Sequence, residues 1–139
     1  MTNIYNSPSG ERYTLYKSML DQPHLLIAGA TGSGKSVVIN ALIYTALYNH
    51  PTDGDGGSRF ILIDPKRVEL VQYKGLPHTL YYGSEPDTMR QALYNAMQLC
   101  ENRYKSMQKA GLKKYDGGEV YIIIDEFADL MTTQKRLIM

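Results

Sequence analysis

Several features that would assign a protein to a particular class are scarce in this sequence of 139 residues. Cys100 is the one cysteine, so an internal disulfide is excluded and the composition is typical of the reducing cytosol. No apolar run approaches the roughly 20 residues that a membrane helix needs. The polar start MTNIYNSPSGER does not have the features of a signal peptide. We therefore expect a soluble, cytoplasmic chain without a membrane segment.

Charge of one sign is also lacking, because the chain has 15 basic and 14 acidic residues and a net charge of +1. Tryptophan is absent, and the 12 tyrosines are spread along the chain. The bulk composition therefore indicates neither a nucleic-acid-binding surface nor a stacking platform for bases, although a neutral protein can still carry a local basic patch.

What the sequence does contain is an alternation of short apolar runs with longer segments of helical periodicity. Four runs predict strands: HLLIA (24–28), RFILID (59–64), the weaker TLYY (79–82) and VYIIID (120–125). Helices are predicted from Gly34 to about Asn49, over VELVQY, from a capping box of Ser84 and Asp87 to Ala110, and from Glu126 onwards. Strands that alternate with helices predict an α/β domain with a parallel sheet.

The glycine-rich stretch between the first predicted strand and the first predicted helix fits the phosphate-binding loop at every fixed position. It reads GATGSGKS, from Gly29 to Ser36. Glycines let successive backbone N–H groups turn towards a phosphate, and the following helix adds the positive end of its dipole. At ordinary residue frequencies, a chance match is expected in roughly one chain in two hundred of this length. We therefore favour a nucleotide site over a junction that is glycine-rich by chance.

The residues of this loop receive the roles that a bound nucleoside triphosphate requires. Lys35 is expected to reach the β- and γ-phosphates, and the Ser36 hydroxyl is expected to ligate Mg²⁺. The predicted nucleotide-binding residues are Gly29, Ala30, Thr31, Gly32, Ser33, Gly34, Lys35, Ser36 and Val37. The predicted cofactors are therefore ATP and Mg²⁺, and Lys35 is also expected to act in catalysis.

Two apolar runs end in aspartate, at Asp64 and Asp125. Because parallel strands open their carboxyl ends on one edge of the sheet, either aspartate could face the metal. Glu126 follows Asp125, so we predict that Asp125 holds Mg²⁺, directly or through its water, and that Glu126 is the catalytic base. The alternative is an acidic pair that only caps the next helix. For Asp64 two roles stay open, because Pro65 follows it. It could be a metal ligand or a residue that forms a turn.

Lys66 and Arg67 lie just past the same strand, on the edge where the nucleotide is expected. Basic residues there could contact the phosphates of this site or those of a neighbouring subunit. The alternative is an exposed basic turn without a ligand. The sequence leaves these two interpretations equally open.

Four longer strings carry a more specific signal. They are PHLLIAGATGSGKSVVINALI, FILIDPKRVELVQYKGLPH, ENRYKSM and IIIDEFADLM. In this order and spacing they resemble the motor domain of the FtsK/SpoIIIE family of DNA translocases, from about Leu15 to Met131. The resemblance implies a P-loop NTPase with a RecA-like parallel sheet flanked by helices. It also implies a ring, expected to be a hexamer, that pumps double-stranded DNA with ATP in chromosome partition and cell division, or in phage or plasmid transfer.

The sequence also departs from the family pattern, because it stops at Met139, after the Walker B strand, and lacks the family's sensor strand. We therefore expect residues 1–14 to form a loose arm or an edge hairpin, and 15–139 to form an incomplete motor domain. Three explanations stay open: a fragment of a longer gene, a sheet that closes differently, or a strand supplied by a second polypeptide. We expect nucleotide binding with little or no translocation. The alternative functions are a truncated, non-motor nucleotide-binding module and a related conjugation or secretion ATPase.

Overall fold

The computed structural model of the protein describes residues 2–6, 12–16, 23–30 and 32–138. The chain divides into two compact units, Met1–Thr45 and Ala46–Met139. The elements are β1 (Thr2–Asn6), β2 (Arg12–Tyr16), α1 (Lys35–Asn49), β3 (Arg59–Ile63), a 3-10 turn (Val71–Tyr73), β4 (Thr79–Gly83), α2 (Pro86–Ala110), β5 (Val120–Ile124) and α3 (Phe127–Ile138). Within the described ranges, no helix combines the length and the apolar character that crossing a membrane would require.

In the first unit, β1 and β2 form an antiparallel pair. Thr2 lies opposite Tyr16, and Asn6 lies opposite Arg12. Of the two alternatives for the N-terminal arm, the structure therefore forms the hairpin, and its second strand continues to Tyr16. The division of the chain into an arm and a domain at residue 14 stays a prediction.

The run HLLIA was predicted to be a buried strand, and this prediction is wrong for the structure described here. Residues 23–30 have no regular secondary structure, and Leu26 keeps 83% of its surface exposed. A strand depends on hydrogen bonds to a neighbouring strand, and residues 24–28 pair with no strand among the described residues. An apolar run indicates that a segment tends to be buried, but the strand that pairs with it has to come from elsewhere in the fold.

The second unit is built on a parallel sheet in which β3 lies between β4 and β5. Ile61 is opposite Tyr81 on one side and Ile122 on the other. From Phe60 to Ile63, the central strand is no more than 1% exposed, which explains why its run is apolar throughout rather than alternating. The predicted α/β fold with a parallel sheet is confirmed. Among the described residues, β5 pairs with β3 alone.

The helices α2 and α3 cover one face of this sheet. The buried cluster joins Ile61 and Ile63 of β3 with Met89, Ala92 and Ala96 of α2 and with Leu130 of α3. At the end of β4, Gly83 allows α2 to approach closely, because a Cβ there would lie 2.7 Å from the Met89 Cα atom. Burial of a side chain such as Ile61 contributes about 1.5 to 3 kcal/mol. This packing holds the carboxyl ends of β3, β4 and β5 at one edge.

The start of α2 differs by one residue from the prediction. The N-cap is Glu85 rather than Ser84, and its capping-box partner is Thr88 rather than Asp87. The Thr88 Oγ1 atom accepts a hydrogen bond from the Glu85 amide at 2.9 Å. Pro86 takes the first helical position, so the residue before it becomes the cap. The predicted end is confirmed, because Gly111 follows Ala110 in the left-handed conformation, with φ of 67°.

Candidate functional site

The glycine-rich loop lies in the first unit, directly before α1. Gly32 and Gly34 have φ values of +78° and +93°. A Cβ atom at either position would meet nothing within 4 Å, so the backbone conformation, not lack of space, is what requires glycine. The Ser33 amide donates to the Ala30 carbonyl at 3.0 Å and closes a tight turn. Thr31, also predicted to bind the nucleotide, lies outside the described residues.

The loop leads directly into the first turn of α1. The helix begins at Lys35, and its first helical bond runs from the Val38 amide to the Gly34 carbonyl at 3.1 Å. Lys35 and Ser36 are half-buried, whereas Val37 is 70% exposed. The first amides of a helix have no partner within it, and the helix dipole favours negative charge at this end.

The chemistry of these residues fits a nucleoside triphosphate. Left-handed glycines turn backbone N–H groups towards an anion, which a residue with a Cβ would do only under strain. The backbone at Gly29 lies close to the Ser33 side chain, because a Cβ atom at residue 29 would be 2.3 Å from Ser33 Oγ. An ammonium group at Lys35 and a hydroxyl at Ser36 supply a cation for phosphate and an oxygen ligand for Mg²⁺.

In the second unit, the two aspartates that follow the apolar strands lie at the same edge of the sheet, as predicted. Each extends the hydrogen-bonding ladder by one residue. The Asp64 amide donates to the Gly83 carbonyl at 2.9 Å, and the Asp125 amide donates to the Ile63 carbonyl at 2.9 Å. The carboxyl ends of β4, β3 and β5 therefore meet here, where open α/β sheets place their ligands.

Asp64 is fully buried and holds the loop that follows β3. Its Oδ2 accepts a hydrogen bond from the Leu70 amide at 3.0 Å, and its backbone carbonyl accepts one from the Arg67 amide at 3.1 Å. Oδ1 is buried without a hydrogen-bond partner among the described residues. These contacts support the turn-forming alternative, and the metal-binding alternative stays a prediction.

Lys66 and Arg67 are exposed, and both form ion pairs within the second unit. The Lys66 Nζ atom donates to Glu126 Oε2 at 3.1 Å and lies 3.8 Å from Asp129 Oδ2. Arg67 pairs with Glu85, the N-cap of α2. The sequence predicted either a phosphate contact or an exposed basic turn for these two residues. Neither alternative included the ion pairs. Asp129 was also missed, although its place three residues after Glu126, in the first turn of α3, was a usable signal.

The contacts of Lys66 also change its acidity. The hydrogen bond to Glu126 raises the pKa of Lys66 above its usual value, and the negative charges of Glu126, Asp129 and Asp125 act in the same direction. Lys66 is therefore charged at neutral pH. Its side chain is 54% exposed and that of Glu126 is 31% exposed, so solvent screens the pair and its contribution to stability is small.

Arg67 and Glu126 are the two residues other than glycine that have a positive φ in the part of the chain described by the structure, at 58° and 53°. The left-handed region costs such a residue about 1 to 2 kcal/mol. Glu126 also precedes α3, and its carbonyl accepts from the amides of Asp129 at 3.0 Å and Leu130 at 3.4 Å. The helix-capping alternative thus describes its backbone, whereas its carboxylate contacts Lys66.

Within the described ranges, no three acidic, histidine or cysteine side chains are grouped closely enough to hold a metal ion by themselves. Mg²⁺ is usually bound by one or two protein ligands together with phosphate oxygens and water. The assignment of Mg²⁺ to Ser36 of the first unit and to Asp125 of the second stays a prediction.

Comparison with known proteins identifies the same relationship that the motifs indicate. The FtsK/SpoIIIE family matches residues 7–122. DNA translocase FtsK of Azospirillum brasilense is 46% identical over 96 residues, which cover 68% of this chain and 15% of that protein. DNA translocase FtsK of Rickettsia prowazekii is 44% identical over 110 residues, 78% of this chain and 14% of that protein.

A third relative, DNA translocase FtsK of Clostridium tetani, is 42% identical over 124 residues, covering 78% of this chain and 16% of that protein. The chain therefore spans 14% to 16% of the length of these three relatives. The family match confirms the predicted fold class, a RecA-like P-loop NTPase sheet, of which the described residues form three parallel strands flanked by helices.

Proposed function

The chain belongs to the FtsK/SpoIIIE family, and from this premise we propose that it is the ATP-binding part of an ATP-driven translocase of double-stranded DNA. The observation that supports this most directly is the loop from Gly29 to Ser36, with two left-handed glycines ahead of α1. The relatives named above are DNA translocases. Translocation is a proposal for the complete motor, since the chain spans only a small part of those proteins.

In the proposed mechanism, ATP bound with Mg²⁺ supplies the phosphoryl bond whose hydrolysis drives the motor. The loop amides hold the phosphate oxygens, and the Lys35 ammonium group balances the negative charge that develops on the terminal phosphates. The Ser36 hydroxyl and the Asp125 carboxylate are the groups that would hold Mg²⁺. The Glu126 carboxylate orients the attacking water and accepts its proton.

The proposal also includes the assembly and the process in which the motor acts. We expect a ring of identical subunits, a hexamer, that works in the cytoplasm on double-stranded DNA, in chromosome partition and cell division or in the transfer of mobile DNA. Motors of this class complete the site with an arginine from a neighbouring subunit. An isolated chain is therefore expected to bind ATP more readily than it hydrolyses it.

Titration of the full chain with Mg-ATP tests the nucleotide site. The wild-type chain should give a saturable signal, and Lys35→Ala should weaken binding by about 100-fold, because it removes the cation from the phosphates. Lys109→Ala, which removes an exposed lysine at the end of α2, is the matched control and should bind like the wild type. A wild-type chain without saturable binding, or an unaffected Lys35→Ala variant, would contradict the proposal.

Hydrolysis and its dependence on DNA are tested separately. Glu126→Gln should keep Mg-ATP bound while lowering turnover by at least about 100-fold, which is the usual contribution of a general base. Long duplex DNA should stimulate any turnover of the wild-type chain, whereas a conjugation or secretion ATPase should respond to a substrate protein. Nucleotide binding without turnover under either condition would favour the non-motor module.

A further inference from the structure

The loop after β3 and the turn after β5 are joined by one charged contact. It links Lys66 Nζ to Glu126 Oε2 at 3.1 Å, between residues 60 positions apart in the sequence. The loop after β3 holds Lys66 from both sides. Asp64, buried before it, accepts the Leu70 amide, and Arg67, which follows it, pairs with Glu85. Lys66 therefore projects from an anchored loop.

The turn after β5 concentrates negative charge. Asp125, Glu126 and Asp129 lie within five residues of chain, and the charges of all three act on Lys66. The Lys66 Nζ atom lies within 4 Å of two of these carboxylates, 3.1 Å from Glu126 Oε2 and 3.8 Å from Asp129 Oδ2. The backbone of Glu126 is already constrained, since its carbonyl accepts hydrogen bonds from the amides of Asp129 and Leu130 in α3. Lys66 contacts the Glu126 side chain directly.

We propose that Lys66 is a positioning residue for Glu126, acting through the carboxylate of the base rather than on a phosphate. By donating to Oε2 at 3.1 Å, Lys66 orients the carboxylate of Glu126, which accepts the proton of the attacking water. No bond forms or breaks at Lys66, and the proton passes from water to Glu126. This inference rests on the proposed function, in which Glu126 is the base.

The contact itself can be tested without activity, by NMR of lysine ammonium groups in the ¹⁵N-labelled full chain. A Lys66 signal, assigned by its disappearance in Lys66→Arg, should shift in Glu126→Gln because its acceptor has lost its charge. The matched control is Glu101→Gln on α2, which alters the partner of Lys105 at 3.5 Å and should leave the Lys66 signal in place. A Lys66 signal that is insensitive to Glu126→Gln would overturn the proposal.

Measurements of Mg-ATP binding and of turnover distinguish a positioning role of Lys66 from a phosphate contact. Lys66→Met should keep the dissociation constant of Mg-ATP within about twofold and lower kcat by about tenfold to 100-fold, the range expected when a reacting group is displaced. Lys66→Arg should restore most of the turnover. In a Glu126→Gln background, Lys66→Met should have no further effect, because the group that it positions is already gone. Lys105→Met is the matched control and should resemble the wild type.

The outcomes distinguish this inference from the proposed function. Weaker Mg-ATP binding by tenfold or more in Lys66→Met would indicate a phosphate contact, and a further loss in the Glu126→Gln background would indicate an independent role. Either result contradicts the inference and leaves the nucleotide site standing. Failure of Lys35→Ala to weaken binding would instead contradict the proposed function. If the chain binds Mg-ATP without hydrolysing it, the inference is tested by the Lys66 ammonium signal and by the dissociation constant of Mg-ATP.

Discussion

The phosphate loop and the acidic edge of the sheet both place the backbone in the left-handed region, but by different means. In the loop, the positive φ values belong to Gly32 and Gly34, for which this region is not penalised. At the edge they belong to Arg67 and Glu126, at about 1 to 2 kcal/mol each. The loop therefore adopts its conformation through its own residues, whereas the edge needs contacts from elsewhere in the fold to hold it.

Those contacts connect the edge to the rest of the second unit. Arg67 is held by Asp64 and by its ion pair with Glu85. Glu126 is held by the amides of Asp129 and Leu130 and by Lys66. Strained residues cluster at functional sites when the surrounding structure over-determines them. The conformation of the glycine-rich loop is therefore set by its own residues, whereas the conformation of Glu126 is set by contacts with other elements of the fold. Substitutions at three positions test this difference.

The largest effect on stability is expected at Asp64. Asp64→Ala leaves the buried Leu70 amide without its acceptor, which should lower the free energy of unfolding by about 2 kcal/mol. Asp64→Asn keeps an oxygen for that amide and should cost less than about 1 kcal/mol. Urea unfolding measures both, and the exposed Asp53→Ala is the control. Equal losses for the two Asp64 variants would show that the charge, and not the hydrogen bond, holds the loop.

A smaller effect is expected at Gly34. Gly34→Ala must adopt a φ of +93°, so the native loop conformation should become less favourable by about 1 to 2 kcal/mol, and Mg-ATP binding should weaken with it. Gly54→Ala is the matched control, because Gly54 has open space for a Cβ and no positive φ. Calorimetry of nucleotide binding and urea unfolding together check the effect. If Gly34→Ala binds Mg-ATP like the wild type, the loop does not depend on its left-handed glycine.

The smallest effect is expected at Arg67. Arg67→Gly and Arg67→Ala both remove the ion pair with Glu85. The difference in stability between the two variants therefore measures the cost of the positive φ of 58°. Arg67→Gly should be more stable than Arg67→Ala by about 1 kcal/mol, since glycine adopts this region without strain. Thermal and urea unfolding of the two variants provide the measurement. The opposite order would contradict strain at this position.

Most of the fold in the second unit could be predicted from local pattern. The apolar runs gave β3, β4 and β5 within one or two residues of their observed ends, and the periodic apolar residues gave α2 up to Gly111. The cap of α2 was misplaced by one residue, because Pro86 shifts the helix start in a way that Ser84 and Asp87 did not reveal. HLLIA was misjudged because an apolar run does not indicate which strand will pair with it.

In the candidate site, too, the features that depend on local sequence could be predicted, and the contacts between distant residues could not. The order of glycines, lysine and serine from Gly29 to Ser36 was sufficient to predict a phosphate loop, because the required conformation depends on those residues alone. Asp125 and Glu126 could be placed at a strand end for a similar reason. The contact between Lys66 and Glu126 could not be predicted, since the two residues are 60 positions apart and meet only where β3 and β5 pair.

By itself, the sequence determined the family of this protein, the parallel α/β architecture and the residue types available to hold a triphosphate. These properties depend on local backbone preferences and on short motifs, which act over a few neighbouring residues. Only the tertiary structure decided that Asp64 is a buried loop anchor and that a lysine on one strand end contacts the carboxylate on the next. Such contacts depend on which strands become neighbours, and that is set by the burial of the whole sheet against its helices.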